Sequence, residues 1–134
     1  MAIWGMGSMF GGTEEQKDSF INENFVCVGW KESDKPDIYK KLEEIKIGDI
    51  IYIKSLPIKS RTMKIKAVGI VTDKLKRENN HSGYEEVANE IGVKWLNSNI
   101  DKTIEITDDK INERKTTLFL EENTEYIKSI IDFV

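Results

Sequence analysis

The stretch from Phe25 to Val71 does most to restrict the fold, because its hydrophobic period and its turn residues change in a fixed order. Phe25-Val26-Cys27-Val28 is a continuous apolar run, the pattern of a buried strand, and it ends in Gly29-Trp30. Pro36 to Ile45 reads as a short amphipathic helix. Ser33 or Asp34 supplies its cap, Pro36 fits its first turn, and Ile38, Leu42 and Ile45 recur at helical spacing. Lys46-Ile47-Gly48-Asp49 is a tight turn, with Asp49 read as turn chemistry. The turn leads straight into Ile50 to Ile53, apolar on both faces as a central strand is. After a basic connection, Ile65 to Val71 forms a second strand, predicted to pair antiparallel with the first. Gly69 in its middle marks a bulge, a barrel bend or the close approach of another group.

The rest of the chain adds short elements of both kinds. Ile3 to Met6 reads as a first strand and Gly7 to Gly12 as a glycine-rich turn. Thr13-Glu14-Glu15-Gln16 matches a capping box that opens a helix of about two turns. Lys74 to Gly83 is a polar insertion. Ser82 then caps a helix from about Tyr84 to Ile91, stopped by Gly92. Val93 to Leu96, Thr103 to Ile106 and Thr116 to Leu120 read as strands. Asn123 or Thr124 caps a final helix whose apolar face carries Tyr126, Ile127, Ile130, Ile131 and Phe133. Short strands interleaved with helices predict one α+β domain spanning 1–134, and a closed or nearly closed barrel would dispose of its strand edges.

Composition excludes several classes. No apolar run reaches the ~18 residues of a membrane span. The N-terminus lacks the basic and apolar regions of a secretory signal, so a cytoplasmic protein without a membrane partner is expected. One cysteine, Cys27, excludes an internal disulfide and sits in an apolar run as a buried thiol would. One Cys and one His cannot build a structural zinc site, and neither metal nor cofactor is expected. No catalytic constellation stands out, and the reading is not that of an enzyme.

Charge is uneven. The net charge is −4, which argues against a protein held to nucleic acid chiefly by counterion release. Yet between Asp49 and Asp73 lie Lys54, Lys59, Arg61, Lys64 and Lys66 with no acidic residue. This strip either solvates a hairpin or meets phosphate locally, with Lys59 and Arg61 as phosphate-binding candidates. Gly5-Met6-Gly7 and Gly11-Gly12 match no phosphate-loop spacing, and either serve chain geometry or contact an anion. Trp95 fits an amphipathic strand as core. Trp4 and Trp30 each adjoin glycine. Either they are core and rim residues, or their uncovered faces sandwich a planar ligand, each stacked base contributing roughly 1–3 kcal/mol.

Read together, Val28-Gly29-Trp30-Lys31, the helix Ile38 to Ile45, Lys46-x-Gly48-Asp49, Tyr52-Ile53-Lys54-Ser55 and Ala67 to Val71 resemble the EVE domain of the PUA-like superfamily, which also contains ASCH and YTH domains. Trp95 and Thr103 to Ile106 fall where that family's later strands lie. The resemblance implies a PUA-like fold, a small mixed or antiparallel β-barrel with flanking helices. It also implies an aromatic pocket for a modified nucleobase, with Trp30 as one wall and Tyr52, Lys54 and Ser55 on its floor or rim. The family's usual Arg-Asn after the glycine is replaced by Trp30-Lys31, and the segments Trp4 to Thr13 and Asp73 to Gly83 lie outside the resemblance. The expected function is a non-catalytic module that binds a base of DNA or RNA, flipped or single-stranded. Trp4 and Trp30 would stack on it, and an effector protein would be its partner. The alternative is a protein that sequesters a free nucleotide or a nucleotide-derived signal, which needs only a local basic patch.

Overall fold

The computed structural model describes residues 1–134. In chain order the elements are β1 (Ile3–Gly7), β2 (Met9–Phe10), β3 (Glu14–Glu15), α1 (Lys17–Glu23), β4 (Phe25–Val26) and α2 (Pro36–Glu44). They continue with β5 (Ile50–Ser55), β6 (Thr62–Val71), β7 (Ile91–Asn97), β8 (Lys102–Glu105), α3 (Ile111–Arg114), β9 (Leu118–Leu120) and α4 (Thr124–Ile131). Seven strands make one mixed sheet in the order β4-β7-β6-β5-β1-β9, with β8 also paired to β6. The sheet curls into a half-barrel flanked by helices, so the α+β class expected of the chain is observed. No helix is long and apolar enough to cross a membrane.

The central pairing follows the sequence. β5 and β6 are antiparallel, Ile50 opposite Ile70 and Ile53 opposite Ala67. β5 also pairs in parallel with β1, Ile3 opposite Ile50 and Gly7 opposite Lys54. Both faces of this centre are packed. Trp4, Met6, Ile51, Ile53 and Val93 face one core, covered by Phe20 of α1 and by Tyr39 and Leu42 of α2. Ile3, Ile50, Tyr52, Val68 and Phe119 face a second core, covered by Tyr126 and Ile130 of α4. Alternation along each strand divides the residues between the cores.

Two irregularities bend the sheet. The β5–β6 register jumps so that Ile53 opposes Ala67 while Lys54 opposes Ile65, leaving Lys66 as an extra residue in β6. Ile65 therefore packs in the second core and Ala67 in the first, although two-residue spacing puts both on one face. A second jump falls between Val68 and Gly69 against β7. Here the glycine predicted as a bulge or close approach is both: a Cβ on Gly69 would lie 2.5 Å from Val93 Cγ1 and 3.0 Å from the Lys94 carbonyl.

Asp49 ties the centre together. Gly48 takes a positive φ of 93°, and the Asp49 amide closes the turn onto the Lys46 carbonyl at 3.0 Å. The Asp49 carboxylate accepts from the amides of Ala2 (3.0 Å) and Lys46 (2.9 Å) and from the Trp4 indole N–H (3.1 Å). Burial raises its pKa, but these donors outweigh burial and hold the carboxyl below the ordinary aspartate value.

Three sequence expectations are corrected. Residues 84–91 form turns and the start of β7, not a helix. Tyr84 is instead a buried ring packed edge-on against Phe25, with its hydroxyl on Gln16. The Thr13 to Gln16 segment is not a capping box: Gly11 and Gly12, at positive φ of 60° and 77°, close a hairpin of β2 with β3. α1 starts only at Lys17; the Gln16 side chain makes no cap bond, and the Lys17 amide donates to the Glu15 carboxylate at 3.0 Å. In α2 the cap position is Lys35, again without a side-chain bond, although Pro36 does occupy the first turn. Asn123 caps α4 as expected, its side chain accepting from the Glu125 and Tyr126 amides.

Candidate ligand-binding site

The two tryptophans that adjoin glycine have opposite fates. Trp30 is 44% exposed. It lines a cleft of about 460 Å³ with Gly7, Met9, Phe10, Gly11, Gly12, Gly29 and Thr117. Trp4 is 3% exposed and packs in the first core, its indole N–H spent on Asp49. The two-ring sandwich is therefore not formed, and Trp4 offers no open face to a ligand.

The neighbouring glycines explain both outcomes. A Cβ on Gly5 would lie 2.3 Å from Phe119 Cζ and 2.8 Å from Tyr52 Cζ. A Cβ on Gly29 would lie 3.0 Å from the Phe10 ring. Each glycine makes room for an aromatic ring of this chain. The aromatic wall beside Trp30 is thus Phe10, itself edge-packed against Phe20 and Tyr84 at 6.4 and 6.3 Å.

Trp30 stands on a rigid mount that the sequence did not reveal. Buried Asn89 accepts from the Val28 amide (2.8 Å) and donates to the Val28 carbonyl (3.0 Å) and to the Tyr39 hydroxyl (2.8 Å). The Tyr39 hydroxyl donates to the Trp30 carbonyl at 2.7 Å. Tyr39 is buried behind the site. Two polar groups from distant segments therefore fix the backbone on both sides of Gly29. The Lys35 ammonium sits 5.0 Å from the Trp30 ring centroid, within cation–π range.

A second cleft, of about 430 Å³, adjoins the first and shares Gly7, Met9, Gly12 and Thr117 with it. It opens where the parallel pair β1–β5 ends, at Gly7 and Lys54. Lys54, Ser55, Lys66 and Lys115 line it. Lys54 is only 6% exposed. Its ammonium donates to the Thr116 carbonyl at 2.8 Å and lies 5.6 Å from the Phe119 ring centroid. Burial pushes its pKa down to about 8. Lys66 is paired with Glu15 at 2.8 Å, and the other Glu15 oxygen accepts from the Ser8 hydroxyl. The Lys115 ammonium donates to the Ile58 carbonyl.

The remaining candidates lie elsewhere. Tyr52 is fully buried in the second core with its hydroxyl on Glu121 at 3.0 Å, so it lines no pocket. That Glu121 is held by Arg114, which also grips Asp108 at 2.6 Å in a polar cluster whose Arg114 and Asp108 border a separate pocket of about 280 Å³. Arg61 donates to the Ile106 carbonyl at 3.0 Å and to the Asp108 carbonyl at 3.4 Å, fastening a loop. Lys59 is exposed, and neither it nor Arg61 lines either cleft. The glycine-rich segment does border both clefts, but through a hairpin and not through a helix N-terminus. Cys27 is a buried thiol whose pKa burial pushes up to about 12, with Glu90 adding to the effect. Trp95 is half-buried and its indole donates to the Phe20 carbonyl at 2.8 Å.

No protein-family model matches the chain, and no curated protein matches its sequence. Among solved structures, the NMR structure of Rpa0253 from Rhodopseudomonas palustris, a structural genomics target, is similar over 99% of this chain and 92% of its own, with a TM-score of 0.55 at 8% identity. That likeness is one of fold.

Proposed function

We propose that this protein is a non-catalytic binding module that takes a nucleobase, a modified one by its resemblance to EVE domains, against the ring of Trp30. One observation carries the reading: a half-exposed tryptophan, fixed through its own backbone by Tyr39 and Asn89, forms the wall of a cleft that continues into a lysine-lined one. A fixed backbone under an aromatic side chain suits stacking, because only the side-chain torsions remain to be ordered when the ligand arrives. Kinship with the PUA-like superfamily is part of the same proposal. The order of motifs from Val28 to Val71 and the curled mixed sheet support it.

The second reading, a binder of free nucleotides, is favoured by a specific observation. The cationic groups at the site are three lysines in one small cleft, while Lys59 and Arg61 lie outside it. That is a patch for one phosphate and not a track for a strand. Mass spectrometry of the protein as purified, beside gel shifts with single strands carrying modified and unmodified bases, separates the two. A shifted strand with a preference for the modified base supports the reader. A co-purifying nucleotide with no shift supports the free-nucleotide binder. Neither result in both assays overturns the proposal.

A further inference from the structure

We propose that the lysine cleft is a phosphate-monoester subsite, with Lys54 at its base and Lys66 and Lys115 at its sides, so that the ligand is a nucleotide with a terminal phosphate. The nucleoside part of this ligand rests on the reading of Trp30 above; the phosphate part stands on the second cleft alone.

Lys54 is the group that calls for an anion. An ammonium has three N–H donors, and the Lys54 ammonium has a single protein acceptor, the Thr116 carbonyl. No carboxylate lies within ion-pair distance of it, although Lys66 beside it has Glu15. A buried cation without a counter-charge is costly, and proteins otherwise pair such groups. Opposite it in the parallel ladder stands Gly7, where a Cβ would come within 3.8 Å of the ammonium. The glycine leaves the approach from that side free of side chains.

Charge balance selects the monoester. Lys54, Lys66 and Lys115 bring three positive charges to the cleft, and Glu15 removes one of them. The two that remain match a phosphate monoester, whose charge near neutrality is about −1.5 to −2. A diester within a strand carries one negative charge and leaves the cleft half-neutralised. Size agrees. The two joined clefts, about 460 and 430 Å³, fall in the range of small-ligand sites, roughly 300–1,000 Å³.

The test uses the whole chain and simple probes. Inorganic phosphate, methyl phosphate and dimethyl phosphate are titrated at pH 7 against 15N-labelled protein, with thermal melting in parallel. Phosphate and methyl phosphate should move the amide signals of Gly7, Gly12 and Thr117 and raise the melting temperature; dimethyl phosphate should do neither. Lys54→Met should weaken methyl phosphate at least about tenfold, and Lys115→Ala, a change at a half-buried residue outside both cores, severalfold. Equal binding of dimethyl phosphate, unchanged affinity in Lys54→Met, or no shift at these amides would overturn the subsite. A last arm compares the four deoxynucleoside 5′-monophosphates with their nucleosides, reading the Trp30 indole signal. Phosphate binding without any response at Trp30 would remove the base reading and leave the subsite standing. Nucleosides binding as tightly as their monophosphates would do the reverse.

Discussion

Lys54 and Asp49 are both buried and charged, and the structure treats them in opposite ways. Asp49 is surrounded by donors, so its charge is stabilised in the fold. Asp49→Asn would turn an amide N–H₂ toward those donors. The expected loss is about 1–3 kcal/mol, as for other unsatisfied buried groups, with ligand affinity of the folded protein unchanged. Because the folded carboxyl titrates below its unfolded value, its contribution is present above that value and lost as the pH falls through the folded pKa. Lys54 has the reverse sign. Its folded pKa of about 8 lies below the ordinary lysine value, so the unfolded chain holds more protons between pH 8 and ~10.4. Stability should therefore rise across that window and be penalised below it. Lys54→Met should raise the melting temperature at pH 7, and the gain should shrink as the pH rises toward 10. Melting curves of both proteins from pH 6 to 10 check this; a variant less stable at pH 7 would show that the Thr116 contact outweighs burial of the charge.

At the scale of elements, the sequence was most legible where local pattern and packing agree. The turn Lys46 to Asp49, the pairing of β5 with β6, the proline in α2 and the Asn123 cap all depend on neighbours close in the chain. The misread elements depend on distant partners. Tyr84 and Asn89 sit in what reads as a capped helix, yet one joins an aromatic cluster with Phe25 and the other holds Val28 and Tyr39. Thr13 and Gln16 fit a capping box, yet Glu15 between them is claimed by Lys66 and Ser8. The site was legible by half for the same reason. A tryptophan beside glycine reads alike whether the bare backbone faces a ligand or a ring from elsewhere in the chain, and no local signal says that Phe119 fills the space over Gly5. Lys54 and Ser55 were visible as the polar end of an apolar strand, whereas Lys115 and Thr117 come from the far end of the chain. Gly5→Ala forces the Phe119 and Tyr52 rings apart and should destabilise by about 1–3 kcal/mol, the usual cost of overpacking. Adding Phe119→Leu should recover part of it in a double-mutant cycle of denaturant midpoints; strict additivity would show that the rings are not the obstacle.

For the whole molecule, the fold places one exposed tryptophan and one set of lysines on the same rim of a curled sheet, around the end of its single parallel strand pair. Everything else polar and buried is paired internally, including the Arg114 cluster with Glu121 and Asp108. The central claim is that Trp30 serves a ligand while Trp95 and Trp4 serve the core. It is tested most directly by titrating and melting Trp30→Ala and Trp95→Ala side by side, with the strand or nucleotide that the wild-type protein binds. Trp30→Ala should lose roughly 1–3 kcal/mol of binding, the loss expected of one base–aromatic stack. Its melting temperature should change little, and Trp30→Phe should regain part of the affinity. Trp95→Ala should lose stability by about 3–5 kcal/mol or somewhat less for its half-buried ring, and bind normally while folded. A Trp30→Ala protein that unfolds, or that folds and binds as the wild type does, would contradict the account.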